Sequence, residues 1–205
     1  MMNPYLQKED NEVWEALCEG DLQALEALYR KYYALLLNYG IKCTPDEELV
    51  RDCIQEIFVK LAKSTSLSYT ESPRSYLLKA LRNMINDKQT SSSYQAECFS
   101  FNDEIFEDAL VDDVADKIFG RSDDEIRMRK ALMHALSQLT PQQKHILYLR
   151  YIKELSHKEV AEVMNMNVQS SMNLLSRSIS KLRDILTSHS VSLVSFLQFV
   201  YEILD

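Results

Sequence analysis

The chain reads as an all-α protein of two small helical domains joined by an acidic linker, the second domain a helix-turn-helix. Three observations predict this. Apolar residues recur at three-and-four spacing and nowhere hold period two over a useful length. Only 3 Gly and 4 Pro occur in 205 residues, too few for a turn-rich all-β chain. Charge is unevenly spread: net −8 overall, but −3 over residues 1–93, −9 over 94–126, +6 over 127–186 and −2 over 187–205. The acidic stretch is the natural boundary between two units. A basic second unit can meet phosphate whatever the pI of the whole chain. The expected division is a helical domain over 1–93, a linker over 94–122, the helix-turn-helix over 123–188 and an amphipathic tail helix over 189–205.

The first domain is written in apolar stripes. Leu22, Leu25, Leu28, Tyr29, Tyr32 and Leu36 make one. Val50, Ile54, Ile57, Phe58 and Leu61 make the second, and Tyr76, Leu77, Ala80, Leu81, Met84 and Ile85 the third. Thr44-Pro45-Asp46-Glu47 reads as a capping box with Pro45 at the first helical position. The linker combines a Ser run with dense Asp and Glu, and a short helical patch is expected around Ile105–Ile118.

Three more boxes mark helix starts in the second half: Ser122 with Glu125, Thr140 with Gln143, and Ser156 with Glu159. In each, the hydroxyl accepts an otherwise unpaired backbone N–H while the longer side chain reaches back. They predict helices from about Asp123 to Gln138, from Pro141 through Leu149, and over 157–164. After the turn Met164-Asn165-Met166-Asn167, a long helix begins at Val168. That is helix-turn-helix spacing. Ala161 stands where two helices cross closely. Asn165 stands where the turn wants a left-handed residue, for which Asn is the next choice after Gly. Val168 is expected to plug the gap between the helices. The last helix then offers Gln169, Ser170, Asn173, Arg177 and Lys181 along one side, with Asn167 and Ser171 at its start. Amides and hydroxyls read base edges in a major groove, and Arg and Lys meet phosphates. The pattern alone also suits a plain helical hairpin with solvated polar residues.

Other classes are disfavoured. No stretch of about 18 apolar residues occurs, so a membrane span is not expected. The opening MMNPYLQKEDNEVW has neither a basic nor an apolar leader segment, so a signal peptide is not expected either. Cys18, Cys43, Cys53 and Cys98 lie far apart without metal-like spacing, which favours reduced thiols and a cytoplasmic setting. His134, His145, His157 and His189 show no metal spacing, and no Gly-rich phosphate loop or nucleophile–base pair can be proposed. The expectation is a protein that is not an enzyme and carries no cofactor or metal.

The residues resemble those of a known family. Residues 155–183, with Glu159-Val160-Ala161 in place of its "EIA", look like the promoter-binding domain of extracytoplasmic-function (ECF) RNA polymerase sigma factors. ALMHALSQLTPQQKHILYLRYIKELS over 131–156 is similar to the start of that domain. In the front half, Gly20-Asp21 precedes a helix with Leu28-Tyr29 and Tyr32. Residues 51–63 carry the family's Asp52-x-x-Gln55-Glu56-x-Phe58, and Arg82-Asn83 with Asp87 match its "Arg-Asn…Asp". The resemblance implies core RNA polymerase, promoter DNA and an anti-sigma factor as partners. It implies that Asp52, Gln55, Glu56 and Lys60 meet polymerase. It assigns Tyr76, Lys79, Arg82, Asn83, Asn86 and Lys88 to the minus-ten element, and Asn167, Gln169, Ser170, Ser171, Asn173, Arg177 and Lys181 to the minus-thirty-five element. Rings stack on unpaired bases and amides pair with their edges, which suits the α-helix bearing Tyr76 and Asn83. Taken alone, Tyr76 reads as core and a charged helical face reads as solvated.

The chain departs from the family where basic residues are usual. Met172, Leu174 and Ile179 stand at recognition-helix positions that commonly carry Lys or Arg, and only Lys88 follows Asp87 before Gln89. Each lost phosphate contact weakens binding and flattens its salt dependence. The alternatives are therefore a degenerate relative acting through protein partners, and a different helix-turn-helix regulator. The tail places Leu193, Phe196, Leu197, Val200, Ile203 and Leu204 on one helical stripe. It is expected to pack back on its own module, the other reading being a surface for an anti-sigma partner or a dimer.

Overall fold

The computed structural model describes residues 3–91 and 123–188, with side chains placed over 3–89 and 130–186. The patch at Ile105–Ile118, Ser122, Cys98 and the tail stripe lie outside the described residues. The chain divides into two compact units, Met1–Ser100 and Phe101–Asp205. No strand occurs among the described residues, and no described helix is long and apolar enough to cross a membrane.

In the first unit, α1 (Asp10–Cys18), α2 (Leu22–Cys43), α3 (Glu47–Lys63) and α4 (Pro73–Ser91) follow in order. α2 packs on the other three, and α3 packs on α4. The second stripe is buried throughout, joined by Cys53. From the third, Leu77, Leu81 and Ile85 are buried with Leu78, while Tyr76, Ala80 and Met84 are half-buried. The first stripe needs correction. Leu22 is 62% exposed because it is the first residue of α2, directly after the capping Asp21. Tyr29, 41% exposed, sits at the bundle edge with its ring T-shaped on Phe58 at 5.0 Å and tilted against Tyr33 at 5.3 Å. Ala24 and Ala27 take interior places on α2 instead.

The start of α3 also differs from expectation. Asp46 is the cap, its Oδ1 accepting from Leu49 N–H at 2.9 Å, and Pro45 precedes the cap rather than opening the helix. Thr44 terminates α2, and its hydroxyl accepts from Asp46 N–H at 3.3 Å. An Asp cap followed by Glu47 and Glu48 suits the positive end of the helix dipole.

α2 and α3 approach closely at Gly40, where an added Cβ would run into Val50 Cγ1. Gly40→Ala is expected to cost about 1–3 kcal/mol by overpacking, measured by chemical denaturation. Val50→Ala in the same chain should restore part of that loss. A wild-type midpoint for Gly40→Ala would contradict the contact. Nearby, burial pushes the Cys43 thiol up to about 12, so it stays protonated and acts as a small apolar group.

The second unit contains α5 (Asp123–Ser137), α6 (Pro141–Leu147), a π-helical turn (Tyr148–Ile152), α7 (His157–Val163) and α8 (Val168–Ser188). α8 packs on α5, α6 and α7 around Leu136, Ile146, Leu149, Val160, Leu175 and Leu182. Both described capping boxes form: Thr140 with Gln143, and Ser156 with Glu159. The π-helical turn was not predicted. It hands the chain on through Glu154, a non-glycine residue at φ 53°, with Leu155 N–H donating to the Leu149 carbonyl at 3.0 Å.

Candidate polymerase and nucleic-acid interfaces

α3 buries one side and exposes the other, as its spacing requires. Asp52, Gln55 and Lys60 are exposed and Glu56 is half-buried. Val59, 41% exposed, completes the face seven residues after Asp52. The sequence reading missed it because an apolar residue there looks like core, although the register from Asp52 places it outside. Glu56 bonds to Lys60 at 2.9 Å and to Lys88 of α4 at 3.0 Å. The Lys60 hydrogen bond, then that of Lys88, holds the Glu56 carboxyl below its ordinary range. A depressed carboxyl keeps these pairs at neutral pH and loses them as pH falls through its lowered value.

On α4, Lys79, Arg82, Asn83 and Asn86 fall at i, i+3, i+4 and i+7, which is one face. Asn83 is exposed and the others are half-buried. Lys88 does not join them. It turns to Glu56, which engages its ammonium in this structure. Tyr76 packs T-shaped against Trp14 at 4.9 Å between ring centroids, which ties it to the core.

In the second unit the turn after α7 forms as its residues dictate. Asn165 takes φ 55°, and Met166 N–H donates to the Ala161 carbonyl at 2.9 Å. Asn167 Oδ1 accepts from Ser170 N–H at 2.7 Å and so caps α8. Gln169, Ser170, Asn173 and Arg177 then share one exposed face. Gln169 Nε2 donates to Asn173 Oδ1 at 3.1 Å, and Arg177 Nε donates to the Asn173 carbonyl at 3.2 Å.

Three expectations fail here. Val168 is 42% exposed and plugs nothing, because it is the first residue of α8. Ser171 is fully buried, on the inward line of Leu175, Ser178 and Leu182, so it cannot reach a base. Lys181 donates to the Gln138 carbonyl just past α5 rather than standing free for phosphate. The Ser171 hydroxyl has no hydrogen-bond partner. Ser171→Ala is therefore expected to leave stability unchanged or raise it by up to about 1 kcal/mol, read as a denaturation midpoint. A loss of stability or of DNA binding would mean the hydroxyl is used.

Residues 28–93 match the family Sigma-70 region 2, and residues 129–182 match Sigma-70, region 4. RNA polymerase sigma factor YlaC of Bacillus subtilis (strain 168) is 28% identical over 166 residues, covering 80% of this chain and 92% of YlaC. ECF RNA polymerase sigma factor SigM of the same strain is 22% identical over 160 residues, covering 78% and 93%. The chain belongs to the ECF RNA polymerase sigma factor family. A structure of CnrH in complex with the cytosolic domain of CnrY shares the fold, at TM-score 0.52 and 16% identity over 87% of this chain and 97% of that one.

This sigma factor directs core RNA polymerase to promoter DNA in transcription initiation, a role carried by binding in a family that is not enzymatic. α3 and α4 lie within region 2, and α6, α7 and most of α8 within region 4. Arg150 was not among the expected residues. It donates to the Leu155 carbonyl at 3.2 Å and so braces the irregular segment that leads into α7.

Proposed function

We propose that the sigma factor divides its work among three helical faces. Asp52, Gln55, Glu56, Val59 and Lys60 of α3 dock on core polymerase. Lys79, Arg82, Asn83 and Asn86 of α4 take the minus-ten strand. Gln169, Ser170, Asn173 and Arg177 of α8 read the minus-thirty-five duplex. The observation that carries this reading is the start of α8. A left-handed Asn165 and an Asn167 cap lead into exposed amide and hydroxyl side chains, with a guanidinium two turns on. The working boundaries are 1–93 for the first domain, 94–122 for the linker, 123–188 for the second domain and 189–205 for the tail. The protein acts in the cytoplasm without catalysis, and an anti-sigma factor restrains it. The last point draws support from CnrH, whose structure includes the cytosolic domain of CnrY.

Neither unit needs tight DNA binding alone, because the linker makes the second contact intramolecular. Two variants test the face on α8. With polymerase present, Arg177→Ala should weaken promoter binding across sequences and lower its salt slope by about one unit. Gln169→Ala should cost about 1–3 kcal/mol at a single base pair and relax the preference there. Unchanged binding and run-off transcription in both would move the function of α8 to protein partners. The inward turn of Ser171 and the engagement of Lys181 favour that second reading.

A further inference from the structure

The exposed surface of α8 has a second face beside the one that carries Gln169 and Asn173. There Met172, Ile179 and Arg183 look across an open groove of about 510 Å³ at Arg150, Tyr151 and His157. Its floor is apolar where the family commonly carries cations: Met172 is 43% exposed, and Ile179 is half-buried two turns further on. The rim stays cationic through Arg150 and Arg183. His157 Nδ1 is shielded from solvent and has no hydrogen-bond partner. An apolar floor under a cationic rim is poorly matched to a phosphate backbone. It fits an amphipathic segment with carboxylates at its edge.

We propose that residues 191–205 of the same chain seat in this groove. Their sequence has the required chemistry. Leu193, Phe196, Leu197, Val200, Ile203 and Leu204 recur at three-and-four spacing, and Glu202 and Asp205 are the only Lys, Arg, Asp or Glu after Arg183 and Asp184. Their attachment also suits the groove. α8 ends at Ser188, five residues beyond Arg183 on the wall, so the segment leaves at the groove's near end. From Ser188 back to Met172 is about 24 Å of helix at 1.5 Å per residue. The residues that follow Ser188 span that distance with length to spare, at about 3.3 Å each when extended. A tethered segment is also present at high effective concentration, an advantage that a second copy or a separate protein lacks. Any other occupant of the groove must then displace the tail.

The test uses the full chain with ¹³C-labelled methionine methyls and a soluble nitroxide. Met172→Leu identifies the Met172 signal. In the wild-type chain, Met172 should be several-fold less relaxed by the nitroxide than in Phe196→Asp/Leu197→Asp. Met164, 7% exposed, should remain protected in both and so report an intact fold. Adding a synthetic peptide of residues 191–205 to the double variant should restore protection of Met172. Should the double variant disturb Met164, Phe196→Ser alone carries the same comparison. Equal relaxation of Met172 in both chains would overturn the proposal, as would equal protection. Protection that rises with protein concentration would also overturn it by placing a second copy in the groove.

Discussion

Trp14→Ala is expected to destabilise the first unit by about 3–5 kcal/mol, the range for truncating a fully buried aromatic side chain. Trp14 is fully buried, and its ring meets Tyr76 of α4 edge-on at 4.9 Å. Its Nε1–H donates to the Ser68 carbonyl in the connection between α3 and α4 at 3.1 Å. One side chain thus joins α1, that connection and the start of α4. Truncation leaves a void and deprives the Ser68 carbonyl of its donor, and the two losses are separable. Trp14→Phe keeps most of the volume but no donor, so its cost should fall toward about 1–3 kcal/mol. Because this is the chain's only Trp, unfolding must be followed by circular dichroism rather than intrinsic fluorescence. A cost below about 1 kcal/mol for the alanine variant would mean that the pocket collapses around the gap. Since α4 bears Arg82 and Asn83, promoter opening should fall along with the folded fraction.

The stripe of α3 could be read from sequence because every third or fourth position is apolar and the exposed positions between them, Val59 and Ala62 apart, are charged or amide. Periodicity alone decides such a helix. The ends of α2 and α8 were harder. Leu22 and Val168 continue an apolar pattern, but each is the first residue of its helix, where the stripe has not yet entered the core. The sequence pattern places the cap of α3 at Thr44 where the structure has Asp46, because both carry a suitable oxygen. The structure uses both, one ending α2 and the other starting α3. By contrast, Asn165 was legible, since a left-handed turn position admits few residue types.

The binding faces were legible in position but not in partner. Lys88 finds Glu56 from another helix, and Lys181 finds a carbonyl 43 residues away. Long flexible side chains choose partners by tertiary proximity, which local spacing does not encode. Ser171 is polar, yet its register with Leu175 and Leu182 carries it inward. The π-helical turn at Tyr148–Ile152 has no Gly or Pro to announce it.

The other large effect is expected on α3. Asp52→Arg should weaken binding to core polymerase by at least about tenfold, which is about 1.4 kcal/mol. Asp52 is exposed at one end of the face that also carries Gln55, Glu56 and Val59. Exposure keeps the cost to folding within about 0.5 kcal/mol, so a loss of affinity reports on the interface rather than on stability. A carboxylate face of this kind complements a basic partner surface, and an introduced guanidinium sets like charges against each other. Glu56→Gln provides the contrast. It removes the shared partner of Lys60 and Lys88, so part of its effect should appear in DNA binding through the released Lys88. Asp52→Arg keeps the Glu56 carboxylate but sets a third cation one helical turn from it, so its effect should fall chiefly on polymerase. If Asp52→Arg binds core with wild-type affinity, the face is solvated surface and polymerase docks elsewhere on region 2. If both variants lose polymerase while duplex binding by α8 is unchanged, the two contacts are separable. The linked-contact account of promoter selection requires that separability.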